Sequence, residues 1–99
     1  MPEDNKNSTE YKFKQFINIV KTIPNTPSVY DLLLLYGYYK QATVGDCNIP
    51  KPNNFIFDQK SLVKWKAWNN NLGMDKQTAM LNYINKVSLL ISILTPEYD

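Results

Sequence analysis

The chain's 99 residues, 43% of them hydrophobic and 20% charged, supply one small core and exclude a second domain. A formal charge of +2 excludes the domain-wide basic footprint of a general nucleic-acid binder. All eleven basic residues are lysines and there is no histidine, which excludes bidentate guanidinium clamps and the commonest general base.

Met1 to Glu10 is polar and without periodicity, and is expected to form a flexible tail before a domain over 11–95, with 96–99 as a short C-terminal tail. No basic segment followed by a long apolar run opens the chain, and stretches such as Leu32 to Tyr36 are far too short to span a bilayer. Cys47 is the lone cysteine, so no internal disulfide can form. A reduced, cytoplasmic, monomeric protein without stable membrane insertion is expected, with Cys47 an ordinary loop thiol.

From Tyr11 to Ile23, Phe13, Phe16, Ile17, Val20 and Ile23 recur at helical spacing, and Pro24-Asn25-Thr26-Pro27 stops the helix. Ser28 is placed to cap a second helix running to Thr43 or Val44, with Asp31 set against its first amides and Gly45-Asp46 ending it. Cys47 to Phe57, with Pro50 and Pro52, reads as an irregular loop anchored by Phe55 and Phe57. A third helix, capped by Asp58 or Ser61, runs to Asn69 or Asn70 and breaks at Asn71-Leu72-Gly73. Asp75 caps the fourth, whose stripe is Met80, Tyr83, Ile84, Val87, Ile91 and Leu94 before Thr95-Pro96. With no strand signal, the expected fold is all-α, a four-helix bundle.

Helix two carries the functional signal. Tyr36, Tyr39 and Lys40 stand at i, i+3 and i+4, so two phenols and an ammonium share a face suited to an aromatic, phosphate-bearing ligand. Lys64 could join Lys40 at one phosphate cluster if helices two and three lie side by side. Leu32 to Leu35 point around most of the circumference, which fits either a central helix wrapped on both sides or an open apolar groove. Gly37, costing about 1 kcal/mol against alanine in mid-helix, implies close approach by a ligand or a neighbouring helix. Trp65 and Trp68 are read as core anchors. Catalysis has little to use: no histidine, one unassisted cysteine, no metal-ligand cluster and no glycine-rich phosphate loop, so the reading is a binder and not an enzyme.

Three blocks, Tyr36-x-x-Tyr39-Lys40-Gln41-Ala42-Thr43-Val44-Gly45-Asp46, Lys64-Trp65-x-Ala67-Trp68 and Ala79-Met80-x-x-Tyr83, occur in an order and spacing that resemble an acyl-CoA-binding protein. The resemblance runs from about Phe13 to the end of helix four. It implies an up-down-down-up bundle that carries long-chain fatty acyl-CoA without cofactor or metal, does not cleave the ester, and forms an intracellular pool for acyltransferases and other acyl-CoA-using enzymes. It further implies that Tyr36 and Lys40 hold the 3'-phosphate, Lys64 is the second phosphate lysine, Tyr39 lies against the adenine, Lys21 stands beside the nucleotide, and Tyr83 edges the pocket. Lys60 is implied as a loop-side contact, and Gly37 and Tyr38 are carried with the helix-two block. The chain departs from the family at Phe16 and Ile17, where small residues are common, and in a loop about two residues longer around Asn53 to Phe57. The competing reading is a helical interaction module using the leucine-rich groove for a partner helix. Single-stranded nucleic-acid binding is disfavoured by the small net charge.

Overall fold

The computed structural model describes residues 8–53 and 59–96. The expectations for Met1 to Asn7, for Phe55 and Phe57 as anchors and for Asp58 as a cap lie outside the described residues.

Helix α1 covers Thr9–Ile19, α2 Val29–Thr43, α3 Gln59–Asn69 and α4 Lys76–Leu94. The first helix begins two residues before the expected Tyr11 because Ser8 Oγ accepts the amide of Tyr11 at 3.0 Å, a side-chain cap that polarity alone disguised as tail. Its end tightens into a 3-10 turn over Val20–Thr22, where Thr22 Oγ1 donates to the Ile19 carbonyl at 2.7 Å just before the proline-flanked link. Ser28 caps α2 as expected, accepting from the Asp31 amide at 3.1 Å. Gly45, at φ +104°, occupies the left-handed conformation that stops α2 and that a side chain would resist. Ser61, offered as a cap, lies inside α3 instead.

Cross-helix pairs set the directions. Gln77 Nε2 donates to Thr9 Oγ1 at 3.2 Å and Asn25 Nδ2 donates to the Leu94 carbonyl at 2.9 Å, so α1 and α4 start together and end together. Asp31 pairs with Lys86 at 2.8 Å while Gln41 Nε2 donates to the Met74 carbonyl at 2.7 Å, so α2 runs against α4. Lys64 lies over Tyr36 and Lys40 over Trp68, which makes α2 and α3 parallel. The arrangement is up-down-down-up. Phe13, Leu35, Ala42, Ala79, Tyr83, Val87 and Leu90 form the buried cluster between α1, α2 and α4, with Met80, Ile84, Ile91 and Leu94 packed around it. Helix α2 is central, touching α4 on one side and α3 on the other, which favours the wrapped-helix reading of its leucines while leaving part of Leu32 exposed.

A polar knot ties the two connections beside α3 together. Gln41, fully buried, donates through Nε2 to Asp46 Oδ1 at 2.8 Å as well as to Met74, and Asp46 Oδ1 also accepts the Gly73 amide at 2.8 Å. Reversing the Gln41 amide would set its oxygen against two acceptors, so the orientation is fixed even though Oε1 is buried without a partner among the described residues. The Gly73 amide first and the Gln41 amide second hold the Asp46 carboxyl below its ordinary value, and Lys86 does the same for Asp31. Because both groups titrate lower folded than unfolded, their contribution is complete above pH about 5, where the unfolded carboxyls are also ionised, and is lost as the pH falls through the folded values. The urea midpoint is therefore expected to be level from neutral pH to about 5 and to drop on further acidification. Asp46→Asn should flatten part of that drop; an identical acid profile for the variant would refute the assignment.

Candidate functional site

Leu32, Tyr36 and Tyr39 fall at i, i+4 and i+7 of α2 and present one stripe toward α1. With Ile17 of α1, Val20 and Lys21 of the 3-10 turn that follows it and Tyr83 of α4, they line a hollow of about 320 Å³. Tyr39 is 40% exposed, and its ring centroid lies 6.2 Å from that of Phe13, which in turn meets Tyr83 edge-on at 5.2 Å. The core thus backs a phenol whose other face is open for stacking. Tyr83 is buried to 5% exposure, and burial, with Tyr39 adding to it, pushes its phenol above the ordinary tyrosine value. It stays a neutral hydroxyl.

On the α3 side of Tyr36, the Lys64 ammonium sits 4.8 Å from the ring centroid, a cation–π contact that holds the charge at the edge of the hollow. Lys40 does not stand with the two tyrosines as the spacing suggested. Its ammonium turns toward α3 and lies 4.7 Å over the ring of Trp68. Trp68 is buried as expected and donates its indole N–H to the Gly45 carbonyl at 2.8 Å. Trp65 is not a core anchor: half-buried, it donates to the Ile49 carbonyl at 2.9 Å and lines a second hollow of about 440 Å³ beneath the loop, with Tyr36, Lys64, Ile49, Pro50 and Pro52. A third, of about 230 Å³, lies between Val29, Leu32, Leu33, Val63, Lys60 and Lys64.

Gly37 and Tyr38 are absent from the described linings of all three hollows. Gly37 is buried against α3, where an added Cβ would lie 2.3 Å from the Ala67 carbonyl oxygen, so the close approach is made by a helix and not by a ligand. Tyr38 packs against the buried cluster. Of the departures noted in α1, Ile17 does line the tyrosine hollow, whereas Phe16 packs on the core. Sequence reasoning offered Leu32 within a leucine-rich groove but missed Val20 and Ile49 as lining residues. The i, i+4, i+7 relation ties Leu32 to Tyr36 and Tyr39; Val20 and Ile49 require the tertiary fold.

Lys21, Lys51, Lys60 and Lys64 border the hollows, and no acidic side chain stands among their described lining residues. Apolar floors with phenols and lysines at the rims suit an amphipathic organic anion carrying a ring and phosphates. No group of metal-ligating side chains occurs among the described residues, and no described helix is long and apolar enough to cross a membrane. Fold and hollows together define a helical ligand-binding bundle.

A family model described as acyl CoA binding protein matches residues 10–87. Acyl-CoA-binding domain-containing protein 1 of Oryza sativa subsp. japonica is 46% identical over 79 residues, covering 80% of this chain and 85% of that one. Acyl-CoA-binding domain-containing protein 3 of the same source is 47% identical over 78 residues, and there the match spans 79% of this chain but 49% of the relative. The crystal structure of Oryza sativa acyl-CoA-binding protein 2 superposes with a TM-score of 0.82 at 41% identity, covering 89% of this chain and 94% of that one. The chain belongs to the acyl-CoA-binding protein family.

Proposed function

We propose that this protein binds long-chain fatty acyl-CoA and serves as an intracellular, cytoplasmic carrier and pool for the ester, which it delivers uncleaved to acyltransferases and other acyl-CoA-using enzymes. It works as a monomer. The observation that carries the reading is the position of Tyr36, which borders all three hollows with Lys64 held over its ring. A phosphate at that pair lies beside an exposed phenol suited to a purine and beside apolar surface suited to a fatty chain.

In this reading Tyr36, Lys40 and Lys64 take the 3'-phosphate, Tyr39 stacks on the adenine, Lys21 borders the nucleotide, Tyr83 closes the floor and Lys60 lies along the chain's path. Lys40 reaches the phosphate by leaving Trp68, exchanging a cation–π contact for a stronger charge-assisted hydrogen bond. Gly37 and Tyr38 act through packing.

Each buried methylene contributes about 0.8 kcal/mol. Since the hollows are open to solvent on one side, roughly half of that is taken for the eight methylenes separating octanoyl-CoA from palmitoyl-CoA, giving roughly a two-hundredfold difference in affinity. Calorimetric titration of CoA, octanoyl-CoA and palmitoyl-CoA checks it. Equal affinities for the three would sink the proposal.

A further inference from the structure

Helix α3 carries the chain's charge imbalance. Lys60, Lys64 and Lys66 stand on it with no acidic residue between Gln59 and Asn69, and the other eight lysines against nine carboxylates leave a net charge of −1 in place of +2. Lys60 and Lys64 border the ligand hollows, but Lys66 does not. It is exposed, and no carboxylate pairs with it among the described residues. Lys66 instead borders a groove of about 190 Å³ in which Tyr30, Leu33 and Leu34 of α2 face Val63 and Ala67 of α3. Successive helical residues turn by about 100°, so Leu34 points away from Leu32 and the groove opens on the reverse of the α2–α3 pair from the hollows that Leu32 lines. The two faces meet at Leu33 and Val63, which wall both the groove and the 230 Å³ hollow.

We infer that this groove docks an acidic amphipathic helix of a protein that takes the ester from the carrier, with an apolar side chain of that helix in the groove and a carboxylate on Lys66. Charge complementarity carries the inference: a helix with three lysines and no acid draws an acidic partner, and Lys66 is the one of the three with no place at the ligand hollows. Size selects the kind of occupant. At 190 Å³ the groove falls below the roughly 300 Å³ at which small-molecule sites begin, so it takes a side chain and not a second ligand. A concave seat between two helices fits a protruding leucine better than a flat lipid surface. Tyr30, 69% exposed at its edge, is the kind of amphipathic anchor that interfaces bury. Because docking uses the reverse face, the partner is received with the cargo aboard. Docking of an acidic helix stands on the groove alone; the partner's use of the ester rests on the acyl-CoA reading.

The test follows the amide resonances of the full chain, loaded with palmitoyl-CoA, as three probes are added in turn. They are a synthetic helical peptide with leucines at i, i+3 and i+7 flanked by glutamates, the same peptide with lysines for the glutamates, and vesicles of phosphatidylcholine with phosphatidylserine. The acidic peptide is expected to move Tyr30, Leu34 and Lys66 and to leave palmitoyl-CoA bound. Tyr30→Ala combined with Lys66→Gln should weaken the peptide about tenfold and keep palmitoyl-CoA within about twofold. Both residues are exposed, so the double change leaves the core intact. The inference is overturned if those amides stay still with the acidic peptide, if the lysine peptide moves them as much, or if the peptide expels palmitoyl-CoA. It is overturned too if only the vesicles move them, which assigns the face to a membrane. The unloaded chain separates the two readings: taking the acidic peptide at this groove while failing to bind palmitoyl-CoA overturns the acyl-CoA reading and leaves the docking, whereas binding palmitoyl-CoA without the peptide does the reverse.

Discussion

Gly37→Val is expected to destabilise the protein by about 3 kcal/mol, and Gly37→Ala by about 2, although alanine gains about 1 kcal/mol in helix propensity over glycine. A Cβ at this position would meet the Ala67 carbonyl oxygen at 2.3 Å, its carbon at 2.9 Å and Asn71 Nδ2 at 3.0 Å. Two of the three are backbone atoms, which no rotamer change can move. Asn71, just past the end of α3, itself donates to the Ala67 carbonyl at 3.4 Å, so the crowded atoms belong to one linked patch of α3 and the turn that follows it. Helix α3 packs chiefly on α2, and relief of the clash therefore requires α3 to lift away. Lifting it separates Lys64 from Tyr36, so ligand affinity should fall together with the urea midpoint. An alanine variant more stable than the original would show that propensity outweighs the contact.

How much of this was legible beforehand differs from element to element. The stripe from Met80 to Leu94 and the proline-flanked stops marked helices that the structure contains, because a 3.6-residue period and a missing amide are local facts. The Ser8 cap was hidden since a polar residue at the edge of a polar tail gives the same signal whether or not its oxygen bonds an amide. The succession Leu32 to Leu35 could not choose between burial and a groove: periodicity describes how much apolar surface exists, whereas the neighbours α3 and α4 decide how much is covered. Gly37 signalled a close approach without naming what approached. The knot joining Gln41, Asp46, Gly73 and Met74 was illegible, since its partners lie up to 33 residues apart in the chain. Lys40 shared the right turn with Tyr36 and Tyr39, yet its four-carbon stem let the ammonium settle over Trp68, a choice made by α3 and not by helical spacing.

Lys64→Ala is expected to weaken CoA and palmitoyl-CoA alike by about thirtyfold, corresponding to roughly 2 kcal/mol for a charge-assisted hydrogen bond to phosphate. Equality across chain length follows from the proposed division of the site: a lysine that touches only phosphate contributes the same to every ester, and the chain-dependent part stays with the apolar walls. Lys40→Ala should cost less, about tenfold, because in the free protein that ammonium already holds the Trp68 ring and binding exchanges one contact for another. The identity of the phosphate can be read from a cycle with 3'-dephospho-palmitoyl-CoA, in which both lysine variants should bind nearly as tightly as the original. If Lys64→Ala costs as much with the dephosphorylated ligand, the lysine serves the pyrophosphate instead. If it costs palmitoyl-CoA far more than CoA, its stem is packing on the chain and the loss of charge is secondary. Raising salt separates the two terms, since screening erodes a rim lysine's pull on phosphate and leaves methylene burial in place.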